Sequence, residues 1–178
     1  MMNIAAQVLP ALQAKFGEGI IAAQLEAIDP WIEVQAASLP DVCRYLKADS
    51  QWHLDFLNCI TGVDYLQVDP KKAAKTGWTP HVMVVYHLSS VTKKQALVLK
   101  VKLPRWRDDQ PGQLPEVPSV SSIWKTALWH EREVYDLSGI LFVGHPDLRR
   151  ILCPEDWVGH PLRKDYEMPT EYHGIRNR

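Results

Sequence analysis

Ionisable side chains able to do chemistry crowd into one stretch, residues 129–166, which reads WHEREVYDLSGILFVGHPDLRRILCPEDWVGHPLRKDY. Its His130-Glu131 pair opens like the helix of a zinc protease, where two histidines one turn apart hold the metal. The second histidine is missing, because position 134 is Val134. His145 and His160 each stand in a Gly-His-Pro triplet, with no serine or cysteine nucleophile arranged beside an acid and no third ligand at a telling spacing. Both are expected to be turn histidines bonded to backbone. Cys43, Cys59 and Cys153 are isolated, whereas iron–sulfur clusters need grouped thiolates, so buried reduced thiols are expected. No catalytic, cofactor-binding or metal-ligating residue is therefore assigned. A free-standing metal enzyme built on His130, Glu131 and a distant histidine remains the lesser alternative.

The same stretch reads better as a surface that other protein covers. On a helix, Glu131 lies one turn from Ala127 and Leu128 and one turn from Val134 and Tyr135, which places it on the apolar stripe. A carboxylate there needs a cation or donors, or must stay protonated. Arg149, Arg150 and Arg163 are the candidate cations, with Arg149 or Arg150 preferred. Arg132, Glu133 and Asp136 point to other sides, where a solvated face with an Arg132–Asp136 contact is expected, and Arg163-Lys164-Asp165 reads as an ion-pair network. Together with His145 and His160, these residues are expected to serve as interface groups or structural ion pairs.

The elements that must position them follow from the periodicity. Ile4, Val8, Leu12 and Phe16 form a helical stripe that ends at Gly17 and Gly19, with Pro10 either starting or kinking it. Residues 31–36 alternate as a strand, and Leu39-Pro40-Asp41 opens a helix to about Lys47. Residues 54–66 suggest a bent strand, and residues 71–80 a polar loop. Val82 to Leu88 is apolar on both faces, as in an interior strand, and forms a hairpin with the one-sided alternation Leu97, Leu99, Val101, Leu103. Prolines make residues 104–118 an irregular loop, and residues 120–137 read as the longest helix after it. Prolines 146, 154, 161 and 169 allow only short turns beyond Gly139. The fold class is α+β, a mixed or antiparallel sheet with flanking helices. Residues 1–138 form the domain, and 139–178 an extended C-terminal interaction arm of the same unit, packed mainly against other subunits.

Composition narrows the function classes. A net charge of −1 lacks the basic stripe that nucleic-acid binding requires. No apolar run approaches the ~20 residues of a membrane span, and no secretory signal pattern is present, so a cytoplasmic chain is expected. Seven tryptophans are many for 178 residues, and some are expected at contacts.

The block resembles the signature of the thirty-kilodalton subunit family of proton-pumping NADH:quinone oxidoreductase, respiratory complex I. The matching residues are Glu131-Arg132-Glu133, Asp136-Leu137, Gly139-Ile140, Gly144-His145-Pro146 and Arg149-Arg150-Ile151-Leu152, followed by Trp157 and the segment from Gly159 to Tyr166. Ser138 stands where the family usually carries a bulky apolar residue, and Glu167 where proline is common. The resemblance implies a cofactor-free subunit on the cytoplasmic side of the inner membrane, peripheral and attached only through the complex. FMN and iron–sulfur clusters would sit in partner subunits and pass electrons from NADH to quinone. The implied partners are the quinone-site subunit and adjacent iron–sulfur subunits. The equivalent subunit of a related membrane-bound hydrogenase or formate-oxidising complex is the nearer alternative.

Overall fold

Nine of the ten residues of His81–Ser90 are buried, so this strand has protein on both faces and on both edges. It is β5 of a computed structural model that describes residues 1–66, 71, 73–74 and 79–177. Before it come β1 (Met2–Asn3), α1 (Ala5–Phe16), β2 (Ile20–Gln24), β3 (Trp31–Val34), α2 (Leu39–Ala48) and β4 (Phe56–Tyr65). After it come β6 (Gln95–Pro104), β7 (Glu116–Pro118), α3 (Ala127–Ser138), β8 (Leu141–Val143), β9 (Glu171–Tyr172) and β10 (Ile175–Arg176).

The main sheet runs β2-β3-β6-β5-β4, with β1 beside β6. β4, β5 and β6 are antiparallel neighbours, while β3 and β1 join β6 in parallel. The mixed sheet and its helices form the α+β class expected. In β6, Leu97, Leu99, Val101 and Leu103 are buried and Lys102 is exposed, and Lys100 lies over the Trp31 ring at 4.3 Å. β4 carries a register shift between Leu57 and Cys59, the mark of a β-bulge. Residues 71–80, read as a polar loop, fall largely outside the described residues.

One core joins α1 (Val8, Leu12), α2 (Leu39, Val42, Leu46) and the inward side chains of β5 and β6 to α3 and β8 (Val134, Phe142). α1 continues through Pro10, which is exposed on its outer side. Trp52 and Trp124 are buried in the core, whereas Trp129 is 62% exposed.

Three expectations need correction. Residues 120–126 are not helical, and α3 begins only at Ala127. A turn there, with Ile123 N and Trp124 N donating to Val120 O, puts Val120, Ile123 and Trp124 all in the core. Trp124 Nε1 then reaches Leu54 O at 3.2 Å, and Lys47 Nζ caps Ile123 O, so tertiary contacts override helical periodicity. Residues 104–118 are not wholly irregular, since β7 pairs in parallel with β8. That pairing also draws the segment after Gly139 into the core, where Ile140 and Phe142 are 0% and 2% exposed, so this part does not pack mainly against other subunits.

Helix α3 is held close to the sheet by its shape. A Cβ on Gly62 of β4 would sit 2.7 Å from Ser138 Oγ and 2.9 Å from Val134 Cγ1. The small side chain of Ser138 is thus the counterpart of a glycine, and a bulky apolar residue would not fit there.

Candidate functional site

Helix α3 meets the core on one side and the chain's own C-terminal segment on another. Glu131 is fully buried, Arg132 is 8% exposed and Asp136 fully buried, while Glu133 is exposed. The apolar stripe places Glu131 correctly, but its partners differ from those expected. Glu131 accepts from Val120 N at 2.7 Å and Ser119 Oγ at 2.6 Å, and no arginine pairs with it among the described residues. Burial raises its carboxyl to about 7, against the opposing effect of the bonds from Ser119 and Val120. Arg149 is exposed and pairs with Asp147.

Arg150 pairs instead with Asp136, at 2.6 Å. Asp136 and Glu131 are five residues apart, or about 140° around a helix, so a segment crossing one face cannot serve both. Asp136 Oδ2 also accepts from three consecutive amides, Ile151 N, Leu152 N and Cys153 N, at 2.7–2.9 Å. Burial pushes this carboxyl up, but the amides and Arg150 outweigh it and hold it at about 2. Arg132 does not reach Asp136. It donates to Arg149 O and Arg150 O and lies over the Trp129 ring. The solvated face expected for Arg132 and Asp136 is therefore a covered one, with only Glu133 facing water.

Both histidines bond backbone, as expected. His145 Nε2 lies 3.1 Å from Leu128 O, and His160 Nδ1 lies 2.9 Å from Asp136 O. Gly139 ends α3 with φ +65°, and the His160 ring occupies the place a Cβ would need, at 2.5 Å. Burial lowers the His160 imidazole, and Arg150 and Arg163 reinforce this.

A second clip fixes residues 163–165. Arg105 makes a two-pronged bond to Asp64 of β4 at 2.7–2.8 Å and a further bond to Asp165 at 2.8 Å. Its guanidinium is pushed up chiefly by the bond to Asp64. Lys164 contributes its backbone N–H to Asp64, at 2.9 Å, while its side chain is exposed. Arg163 is buried, donates to Arg105 O and stacks on the Trp106 ring at 3.9 Å. Of the ion-pair network read into 163–165, only Asp165 takes part in an ion pair among the described residues, and the centre of the network is Arg105 and Asp64, which sequence reasoning missed. A signal was available: Asp64 is an acid within an apolar strand, and such an acid needs a partner. Replacing Arg105 with alanine strands Asp64, so stability should fall by about 3 kcal/mol. Proteolysis should then cut faster within 160–177 than near Asp136. Equal cleavage of both regions would show that the clips are not separate.

Part of this segment is inverted, although Arg149, Glu155, Asp156 and Lys164 face water in the ordinary way. Its charged groups Arg150 and Arg163 turn inward, while Leu152, Val158, Leu162 and Met168 are 57–83% exposed. Among the described residues, no three of His, Cys, Asp and Glu gather closely enough to hold a metal. Two surface depressions of about 640 and 700 Å³ lie beside α2 around Arg44 and Ala48, away from this segment. Cys43 is buried, and burial pushes its thiol up, away from the thiolate form that nucleophilic attack uses.

The family described as the respiratory-chain NADH dehydrogenase 30 kDa subunit matches residues 32–172. This chain belongs to that family. An NADH-quinone oxidoreductase subunit of Chlorobium phaeobacteroides is 40% identical, over 93% of this chain and 90% of its own length. The equivalent protein of Roseiflexus sp. (strain RS-1) is 39% identical, over 93% and 86%. The fold is similar to that of a chain in the membrane-bound sulfane sulfur reductase, an archaeal respiratory membrane complex. The TM-score is 0.66 and identity 23%, over 92% of this chain and 85% of that one. As a member of the family, the chain is a subunit of a respiratory enzyme complex, and no helix among the described residues is long and apolar enough to cross a membrane.

Proposed function

We propose that this chain is a cofactor-free scaffold in the peripheral arm of a proton-translocating NADH:quinone oxidoreductase. It sits on the cytoplasmic side of the inner membrane and is attached there through its partners. Electrons pass from NADH through FMN and iron–sulfur clusters held by other subunits to quinone. The interaction arm of this chain runs from about Gly144 and packs on the quinone-site subunit and the neighbouring iron–sulfur subunits.

One observation carries this reading: the inverted part of the C-terminal segment. Buried ionic and backbone clips fix its path, and the apolar residues left outside form a pre-shaped surface. Ordered apolar surface of this kind gains stability only when covered, and a fixed path lowers the ordering cost of association. Membership of a subunit family supplies the class of cover.

The test is Leu152→Asp combined with Val158→Asp. Both residues are exposed, so the isolated chain should lose no more than about 0.5 kcal/mol per substitution. Co-purification of the other subunits and NADH:quinone activity of membranes should fall at least tenfold, as expected for removal of buried anchors. Unchanged assembly and activity would sink the reading. The isolated chain should also be colourless, and a flavin or iron–sulfur spectrum surviving desalting would contradict the cofactor-free role.

A further inference from the structure

We propose that Glu131 is a proton-operated clip, which grips the turn at residues 119–121 when protonated and loosens it when ionised. The carboxyl is fully buried, and among the described residues no lysine, arginine or histidine pairs with it. The groups facing it are polar but uncharged in their ordinary states: Ser119 and Val120 N from the turn, the Cys43 thiol from α2 and the Tyr86 hydroxyl from β5. The Tyr86 hydroxyl is itself buried without a hydrogen-bond partner. A negative charge here has two donors and no counterion.

The hydroxyl chain accommodates either state. Ser119 Oγ lies 2.6 Å from Glu131 Oε2 and 2.7 Å from Ser121 Oγ. With Glu131 ionised, Ser121 donates to Ser119 and Ser119 donates to the carboxylate. With Glu131 protonated, its O–H donates to Ser119, which then donates to Ser121. The whole chain reverses by hydroxyl rotation, and the half-buried Ser119 gives protons a route to water. Both states keep the hydroxyls bonded, so what separates them is the cost of holding an unpaired charge in a buried site, and that cost favours opening of the turn.

The turn held by Glu131 follows β7, and Ser119 N also bonds Val143 O at the end of β8. Loosening the turn therefore loosens the parallel β7–β8 pair, where the C-terminal segment begins. The carboxyl titrates at about 7 because it is buried, so the two states exchange near neutral pH. Its folded affinity for the proton exceeds the unfolded one. The stabilisation is thus complete below the ordinary carboxylate range and is lost as pH rises through about 7.

The experiment uses the full chain. The Glu131 side-chain carboxyl, labelled with carbon-13, should titrate by NMR with a midpoint between about 6 and 8. Hydrogen-exchange protection of residues 117–123 and 141–143, corrected for intrinsic rates, should fall about tenfold or more between pH 5.5 and 8.5, on the scale of one pK unit. Glu131→Gln, which mimics the protonated form, should remove that pH dependence. A carboxyl midpoint below 5, or protection in Glu131→Gln that still falls with pH, would overturn the proposal. The carbon-13 titration decides it even if the variant does not fold.

Discussion

Replacing Asp136 with alanine is expected to cost the isolated chain about 3–5 kcal/mol, the largest loss of any substitution in the C-terminal half. The carboxylate answers the Arg150 guanidinium and three successive amides at once. Its removal leaves a largely covered cation and three donors without an acceptor. For a chain of this length that corresponds to a fall in melting temperature of about 10 °C, a large part of a typical margin of about 5–15 kcal/mol. Thermal and urea unfolding measure it. Asp136→Asn retains one acceptor oxygen and should lose less. The wild-type chain carries a matching pH signature. The folded carboxyl sits at about 2 against an ordinary 3.8, so its contribution is present above pH 3.8 and is lost as pH falls towards 2. That contribution amounts to about 2 kcal/mol. A variant whose melting temperature stays within 2 °C of wild type would show that water replaces the carboxylate, and that the clip holds nothing.

The second large effect is expected at Gly62→Val. Even the first side-chain carbon meets Ser138 and Val134 at 2.7–2.9 Å, inside any real contact distance. Overpacking of this kind costs about 1–3 kcal/mol when neighbours yield. Here the neighbours are a helix pinned on its far side by the Asp136 and His160 contacts, so the upper end is expected. Pairing Gly62→Val with Ser138→Gly should recover part of the loss, and Gly62→Ala should fall between. A double-mutant cycle with no coupling would mean that helix and strand separate freely, contrary to the close approach described.

The central hairpin is legible because its strands carry unambiguous periods: apolar on both faces for β5, on one face for β6. β2 is not, since four of its five residues are exposed and Ile20-Ile21-Ala22-Ala23-Gln24 shows no alternation. β1 and β7 are two and three residues long, and exist only because β6 and β8 provide edges for them. In the site, helical geometry suffices to bury Glu131 and to expose Glu133. It cannot supply the partners. Those of Glu131 lie upstream, brought by a turn that depends on the β7–β8 pair, and those of Asp136 are mostly backbone amides, which every residue type except proline carries. Arg132 reads as solvated because nothing in α3 itself reveals that residues 149–150 run over it. Local patterns report which side of an element is apolar, and not what else comes to lie on the remaining sides.

The place of β6 bears on how the chain is made. β1, β3 and β5 all pair with it, two of them in parallel. β2 and β3 are therefore an unsupported ribbon until Pro104 has been synthesised, about 70 residues after Val34. At ribosomal speeds of about 5–20 residues per second, that is a wait of roughly 4–14 s. During it, α1 and α2 have only unconnected parts of the sheet to lie on, and their apolar stripes are open to chaperones and proteases. Non-local parallel pairing is slow for the same entropic reason. Slowing translation before residue 95 should therefore reduce the yield of folded chain more than the same delay placed after residue 104.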